Sequence, residues 1–179
     1  VDIELMNADT ETNVDTARTR AERLIQEGAH CLVGPFDSGA AAAIAQVAEQ
    51  RGVPFVINIA AAPQITEQGY KFVFRNFPVA SELVKNGLKL TDDVFKATGS
   101  TPRTAVFMHV NDTFGQANAK AIGALLPQLN LSFKLADTIS YDPAARDLTV
   151  EVSKAKASKA ELLLLVCRLN DAIVLRREI

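Results

Sequence analysis

The stretch CLVGPFDSGAAAAIAQVAE, residues 31–49, decides the fold. It starts as a short apolar run, passes through Gly-Pro and a Phe-Asp-Ser-Gly turn, and continues as an alanine-rich segment. A short apolar run bounded by turn residues is typical of a buried strand, and the segment after it is typical of a helix. The stretch therefore predicts a strand that leads directly into a helix, as in a parallel sheet covered by helices.

The same alternation extends along the whole chain. The predicted strands are residues 1–8, 30–34, 54–59, 71–77, 103–110, 131–141 and 161–167, and the predicted helices are residues 9–27, 38–50, 79–97, 114–126, 146–158 and 170 onward. Strands and helices that alternate in this way form parallel sheets with right-handed crossovers. The sequence therefore predicts the α/β class.

The alternation breaks between residues 60 and 78, where a loop, two prolines and an extended piece intervene. We expect two Rossmann-like lobes, residues 1–79 and 80–179, joined by a hinge. In such folds a ligand lies beyond the carboxyl ends of the strands. With two lobes, these ends are expected to face each other across a cleft.

Composition excludes several classes of function. The net charge is −2 and no basic block occurs, so nucleic acid is not an expected partner. No apolar run is long enough to cross a bilayer, so membrane insertion is not expected. Cys31 and Cys167 lie far apart, fit no metal spacing, and each falls in a segment predicted to be a buried strand. A disulfide between them stays open, and neither a metal nor a cofactor is expected.

The predicted strand ends carry no catalytic grouping. No Ser/His/acid or Cys/His set occurs there, and His30 and His109 are interpreted as packing residues. The GPFDSG turn lacks the spacing and the lysine of a Walker motif, and no G-x-G-x-x-G follows a strand. A binding protein is therefore favoured over the alternative of a Rossmann-like, nucleotide-dependent enzyme.

The turn at Ser38 has two interpretations. In the first, Asp37 or Ser38 simply caps the helix that follows. In the second, the free N–H groups and the positive end of that helix hold a carboxylate. Gly39 and the alanines after it would let a ligand approach the backbone closely, which favours binding.

Arg168 follows an apolar strand, where a guanidinium needs an acidic partner. That partner is either a protein carboxylate, with Asp171 or Asp142 the candidates, or the carboxylate of a ligand. Arg75 is interpreted as a hinge-region residue tied to backbone carbonyls or to a local acid. The aromatic residues Phe36, Phe77 and Phe114 all lie next to turns and suggest a partly aromatic wall.

Several segments together resemble a known family. The segment LIQEGAHCLVGPFDSGAAAAIAQVAEQRGVPFVINIAAAPQITEQGYKFVFRNFP and the later TAVFMHVNDTFGQ are similar to the type I periplasmic solute-binding proteins, and more narrowly to the branched-chain amino acid group of ABC transporters. The resemblance implies a periplasmic receptor whose two lobes close on a small carboxylate and pass it to an ABC permease. A ligand-sensing domain of a receptor would use the same fold and is the alternative.

The resemblance also implies which residues contact the ligand. The carboxylate would lie at Ser38, with help from Ala60 and Ala61. Phe36, a member of the proposed aromatic wall, is expected to contact the ligand because of its place beside the same turn. Phe114 would pack over the ligand from the second lobe, and Arg168 stands where amino-acid-binding members carry an aromatic residue. The lack of a hydroxyl at Ala60 and Ala61 argues against an α-amino group. Together with Arg168 and the phenylalanines, this resembles the members that bind aromatic or keto acids.

Members of that family are about twice as long as this chain. The resemblance therefore implies that the 179 residues are an internal fragment, with further elements on both sides.

Overall fold

The computed structural model describes residues 2–179 and has the predicted alternation of strands and helices. The strands are β1 (Leu32–Val33), β2 (Phe55–Ile57), β3 (Val73–Arg75), β4 (Thr104–Val110), β5 (Lys134–Tyr141) and β6 (Leu162–Val166). The helices are α1 (Val14–Gln26), α2 (Ser38–Arg51), α3 (Ala80–Thr98), α4 (Thr113–Leu125), α5 (Thr149–Ala157) and α6 (Leu169–Glu178), with a short 3₁₀ turn at Pro63–Ile65.

The strands form two separate parallel sheets. One sheet has the order β1-β2-β3 and the other has the order β5-β4-β6. Contacts between residues divide the chain into two compact units, unit 1 (Val1–Val79) and unit 2 (Ala80–Ile179), each with one of these sheets. Two parallel sheets are what the sequence predicts. The interpretation of the units as the lobes of a receptor stays a prediction.

Unit 1 is held together by small residues. Ala17 and Ala21 of α1 are buried, as are most alanines of α2, so the two helices can approach each other closely. The buried side chains of Phe55 and Ile57 come from the central strand β2. Gly52 ends α2 in the left-handed conformation, with φ of 66°, which glycine adopts without strain.

Unit 2 has buried clusters on both faces of its sheet. Successive residues of a strand point to opposite faces. Accordingly Val106 and Met108 of β4 belong to one buried cluster, while Ala105 and Phe107 belong to another. As the middle strand of three, β4 is almost entirely buried. It pairs with both β5 and β6, so the loops that follow the three strands lie at the same edge of the sheet.

The prediction of a strand at residues 1–8 is wrong over the described part, because residues 2–8 form no strand; Val1 lies outside the described residues. The alternating Ile3 and Leu5 are 90% and 79% exposed. Alternation specifies which face of a strand would be apolar, but a strand also needs a hydrogen-bonded neighbour. Among the described residues, no strand lies beside this segment. The helix after it starts later than predicted, at Val14, where the Asn13 side chain accepts a hydrogen bond from the Thr16 N–H.

The packing roles of three residues need correction. His109 is buried as predicted, but His30 is exposed, because it lies in a bend before β1. Cys31 is also exposed and lies outside the strand, whereas Cys167 is half-buried after β6. Both thiols are free.

Candidate functional site: the carboxyl edges of the two sheets

Each sheet has an edge where the carboxyl ends of its parallel strands lie together. The unit 1 edge consists of residues 34–38 after β1 and residues 58–62 after β2. The unit 2 edge consists of residues 111–115 after β4, 142 after β5 and 167–171 after β6. All six residues that the sequence predicts to contact a ligand lie on these edges: Phe36, Ser38, Ala60, Ala61, Phe114 and Arg168.

Ser38 is the first residue of α2, and its side chain is buried, with 1% of its surface exposed. The cap of this helix is Asp37, whose carboxylate accepts a hydrogen bond of 3.0 Å from the Ala40 N–H. The Ser38 hydroxyl instead accepts a hydrogen bond from the Ala62 N–H, at 3.4 Å. Since Asp37 does the capping, the Ser38 hydroxyl is available for another role: it can still donate its own hydrogen.

Arg75 fixes the loop that carries Ala60 and Ala61. Its guanidinium donates to the carbonyl oxygens of Ala60 and Ala62, the latter at 2.7 Å, and to the Thr66 hydroxyl at 3.4 Å. Burial lowers the pKa of Arg75 from its ordinary value, and the charge of Glu67 opposes that shift. The predicted tie to backbone carbonyls is confirmed. These hydrogen bonds tie the loop to β3, and the hydrogen bond from the Ala62 N–H to the Ser38 hydroxyl places it beside α2.

The other predicted residues of the unit 1 edge differ in exposure. Ala60 and Ala61 are buried, so only their backbone and methyl groups could meet a ligand. Phe36 is 62% exposed and lies in the turn before the Asp37 cap. An exposed ring beside a buried hydroxyl gives this edge one apolar and one polar component.

At the unit 2 edge, Arg168 forms an ion pair with Asp112. Nη1 of Arg168 lies 2.6 Å from Oδ2 of Asp112. The sequence proposed Asp171 or Asp142 as protein partners of the guanidinium, and those pairings are wrong. Asp171 instead accepts a hydrogen bond from the Arg168 backbone N–H, at 3.2 Å. Because the carboxyl ends of β4 and β6 are adjacent, a residue 56 positions earlier in the sequence reaches the guanidinium.

Asp112 also caps α4, because its Oδ1 accepts the Gly115 N–H at 2.8 Å. Phe114, in the first turn of that helix, is partly buried against the core, and the Arg168 guanidinium lies over its ring at 5.8 Å from the centroid. This distance is within the range of a cation–π interaction. The ring and the guanidinium are therefore held together at this edge.

Sequence reasoning missed Tyr141, whose hydroxyl donates to Asp171 at 3.0 Å. Burial raises the pKa of the Tyr141 phenol well above its ordinary value, and the nearby charge of Asp171 raises it further. The phenol is therefore neutral and acts as a donor. Burial likewise raises the pKa of the Cys167 thiol, which keeps it protonated and unreactive. A tyrosine at the carboxyl end of a predicted strand was the available signal.

Two kinds of feature are absent from residues 2–179. No group of three or more His, Cys, Asp or Glu in this range could hold a metal ion. No helix there combines the length and the apolar character that a membrane span needs.

Comparison with known proteins identifies the family. A family model described as "Periplasmic binding protein" matches residues 1–178. The chain belongs to the periplasmic binding protein family. An "Amino acid binding protein" of Pseudomonas aeruginosa is 27% identical over 169 residues, which are 90% of this chain and 41% of that protein. The chain thus spans about two fifths of the length of this relative.

Two solved structures have the same fold. One is a solute-binding protein of an ABC transporter from R. palustris in complex with 4-hydroxybenzoate. The match has a TM-score of 0.78 and 17% sequence identity, and it covers 97% of this chain and 45% of the R. palustris chain. The other is a leucine-binding protein from Thermotoga maritima, with a TM-score of 0.76, 21% identity, and coverage of 90% and 44%. The predicted α/β fold of the type I periplasmic binding proteins is confirmed, and a 179-residue chain is a fragment relative to these neighbours.

Proposed function

We propose that this periplasmic binding protein is the extracytoplasmic receptor of an ABC importer and binds a small carboxylate. The observation that carries the proposal is the buried Ser38 hydroxyl at the start of α2, which accepts from the Ala62 N–H. In the proposed complex this hydroxyl would donate its hydrogen to the ligand. The relatives and structural neighbours are solute-binding proteins, which supports binding over catalysis. The partners would be the ligand and the permease subunits, and the location would be the periplasm.

The ligand carboxylate would accept hydrogen bonds from the Ser38 hydroxyl and from the first N–H groups of α2. An α-helix leaves its first N–H groups without internal acceptors, and its N-terminus carries partial positive charge. The Asp37 carboxylate already accepts the Ala40 N–H as the helix cap, so the remaining N–H groups of the first turn and the Ser38 hydroxyl would share the contacts with the ligand carboxylate. Ala60 and Ala61 would contribute only backbone and methyl contacts.

The rest of the ligand would be apolar and would contact Phe36 and Phe114. Methyl groups at Ala60 and Ala61 offer no acceptor for an ammonium group, which supports an aromatic or keto acid. The R. palustris protein that binds 4-hydroxybenzoate has the same fold. A branched-chain amino acid is the second candidate, because a relative is an amino acid binding protein and another protein of the same fold binds leucine.

Calorimetric titration with benzoate, 4-hydroxybenzoate, leucine and valine tests this function, with NAD⁺ as the probe for the enzyme alternative. We expect one of the carboxylates to bind and NAD⁺ not to bind. Ser38→Ala should weaken binding by about 1 kcal/mol, or roughly fivefold, because one hydrogen bond to the anion is lost while the backbone N–H groups remain.

The matched control is Ser153→Ala, which removes an exposed hydroxyl from α5. Its affinity should equal that of the original protein. Equal affinity of Ser38→Ala and Ser153→Ala would reduce Ser38 to a structural residue. Binding of NAD⁺ without any carboxylate would overturn the proposed function.

A further inference from the structure

The orientation of the Ser38 hydroxyl is set by a backbone group, the N–H of Ala62, which donates to it at 3.4 Å. A backbone N–H can only donate, so it occupies a lone pair of the hydroxyl oxygen and leaves the hydroxyl hydrogen for a different partner. The side chain of Ser38 is buried, so water has little access to compete for the oxygen. The Ala62 N–H therefore makes Ser38 a donor toward any third group.

This orientation is sensitive to the position of residue 62. Hydrogen bonds from N–H to oxygen are usually about 2.7–3.2 Å long, so the bond from Ala62 to Ser38 is already long. A displacement of the loop away from α2 by a few tenths of an ångström would break it. Whatever holds residue 62 in place therefore also keeps the Ser38 hydroxyl oriented.

Arg75, the last residue of β3, holds residue 62 through its carbonyl group. Nη2 of the guanidinium donates to the Ala62 carbonyl oxygen at 2.7 Å, and Nη1 donates to the Ala60 carbonyl oxygen. Nε donates to the Thr66 hydroxyl at 3.4 Å. Ala62 thus makes two contacts at once, with its carbonyl oxygen bound by Arg75 and its N–H bound to Ser38.

The backbone hydrogen bonds of the 3₁₀ turn are of a different kind. The Ala62 carbonyl oxygen also accepts the Ile65 N–H at 3.4 Å, and the Pro63 carbonyl oxygen accepts the Thr66 N–H at 3.1 Å. Both bonds join near neighbours in sequence, so they shape the turn itself. Arg75 belongs to β3, which pairs with β2, so its hydrogen bonds connect the loop to the sheet.

We propose that Arg75 is a positioning residue for the ligand site: it holds the Ala62 N–H against Ser38 and thereby keeps the Ser38 hydroxyl oriented to donate to a carboxylate. This inference rests on the proposed function. Arg75 acts through Ala62, and all three residues belong to unit 1. A donor that is already oriented loses less freedom on binding, which is how Arg75 raises the affinity.

A double-mutant cycle between Arg75 and Ser38 tests the inference. Arg75→Lys keeps the positive charge but replaces the planar fork by a single ammonium group, which does not reproduce the fixed geometry of the three hydrogen bonds. The probes are benzoate and leucine, and the one that binds the original protein more tightly is used throughout. Calorimetry should show that Arg75→Lys weakens its binding about fourfold, as expected for residues of one hydrogen-bond network.

The same exchange is then made in the Ser38→Ala background. There it should weaken binding by less than about 1.5-fold, because the hydroxyl that Arg75 orients is absent. Arg51→Lys is the matched control, since Arg51 is an exposed residue at the end of α2 in the same unit, and its affinity should equal that of the original protein. Arg75→Gln, which can still donate to one carbonyl oxygen, replaces Arg75→Lys if that variant does not fold, as judged by circular dichroism.

Several results would overturn the inference while the proposed function stands. One is equal weakening by the Arg75 exchange in both backgrounds, which would mean that Arg75 supports the structure without acting through Ser38. Others are an unchanged affinity of Arg75→Lys or of Ser38→Ala, and failure of both Arg75 variants to fold, which would assign Arg75 to stability alone. If neither benzoate nor leucine binds to the folded original protein, the proposed ligand classes fall and the inference falls with them.

Discussion

Gly115 shows how a single residue sets the geometry of the unit 2 edge. A Cβ atom at this position would lie 1.7 Å from the Val110 carbonyl oxygen and 2.8 Å from its carbonyl carbon. Only glycine lets the first turn of α4 approach the end of β4 this closely. The approach brings the Asp112 cap and Phe114 to the edge of the sheet.

We expect Gly115→Ala to lower the free energy of unfolding by about 3 kcal/mol, because the added methyl group forces backbone atoms of Val110 to move. This value is at the upper end of the usual cost of overpacking a protein core. Urea denaturation measures the change. Gly123→Ala in the same helix is the matched control, since a Cβ there has no heavy atom within 4 Å. That control should gain up to about 1 kcal/mol from the higher helix propensity of alanine. Equal stability of the two variants would contradict the argument.

At the residue scale, the sequence predicted those contacts that depend on local chain order. Asp37 as a candidate cap follows from its place before α2, and the tie of Arg75 to carbonyls follows from its place at the end of an apolar strand. The partner of Arg168 could not be found in this way. Asp112 is distant in sequence and comes near only because β4 and β6 pair, and a pattern read along the chain does not specify which strands are neighbours.

At the scale of elements, Asp92 joins α3 to the segment before β5. The carboxylate is buried; it accepts hydrogen bonds from the backbone N–H and the hydroxyl of Ser132, and its Oδ2 lies 2.5 Å from the Lys96 ammonium. The hydrogen bond from Lys96, followed by those from Ser132, lowers the pKa of Asp92 to about 2. A helix is thus fixed to the sheet by a charged group inside unit 2.

This lowered pKa predicts a dependence of stability on pH. The folded pKa is below the ordinary value of about 3.9, so the contribution of Asp92 is present above about pH 4 and is lost as the pH falls toward 2. Asp92→Asn should show a smaller loss of melting temperature between pH 4 and 2 than the original protein. Asp93→Asn, the adjacent exposed position, should keep the original slope. Parallel slopes for Asp92→Asn and the original protein would refute this role.

The order of elements was predictable, because each strand and helix after residue 28 has its own period and its own turn residues. The absence of a strand at residues 2–8 was not predictable, because strand formation depends on a neighbouring strand and a local pattern contains no information about that neighbour. The same limit applies to sheet order: no local signal indicates that β4 is central in unit 2, although its nearly complete burial follows from that position.

For the whole molecule, each unit has its own sheet and its own buried residues. A defect in one core should therefore affect that unit first. Hydrogen exchange followed by mass spectrometry should show that Gly115→Ala reduces protection in peptides from residues 80–179, while the β2 peptide around Phe55 keeps its protection. Equal loss of protection in β2 would mean that the chain unfolds as one cooperative body.

The strand order β5-β4-β6 also has a consequence during synthesis on the ribosome. Both neighbours of β4 are made after it, and the last of them ends at Val166, 56 residues beyond Val110. At about 5–20 residues per second, the nascent β4 waits roughly 3–11 seconds for its final partner. During that interval an apolar strand with an open side is a ready substrate for chaperones, and slower translation of residues 111–166 would lengthen its exposure.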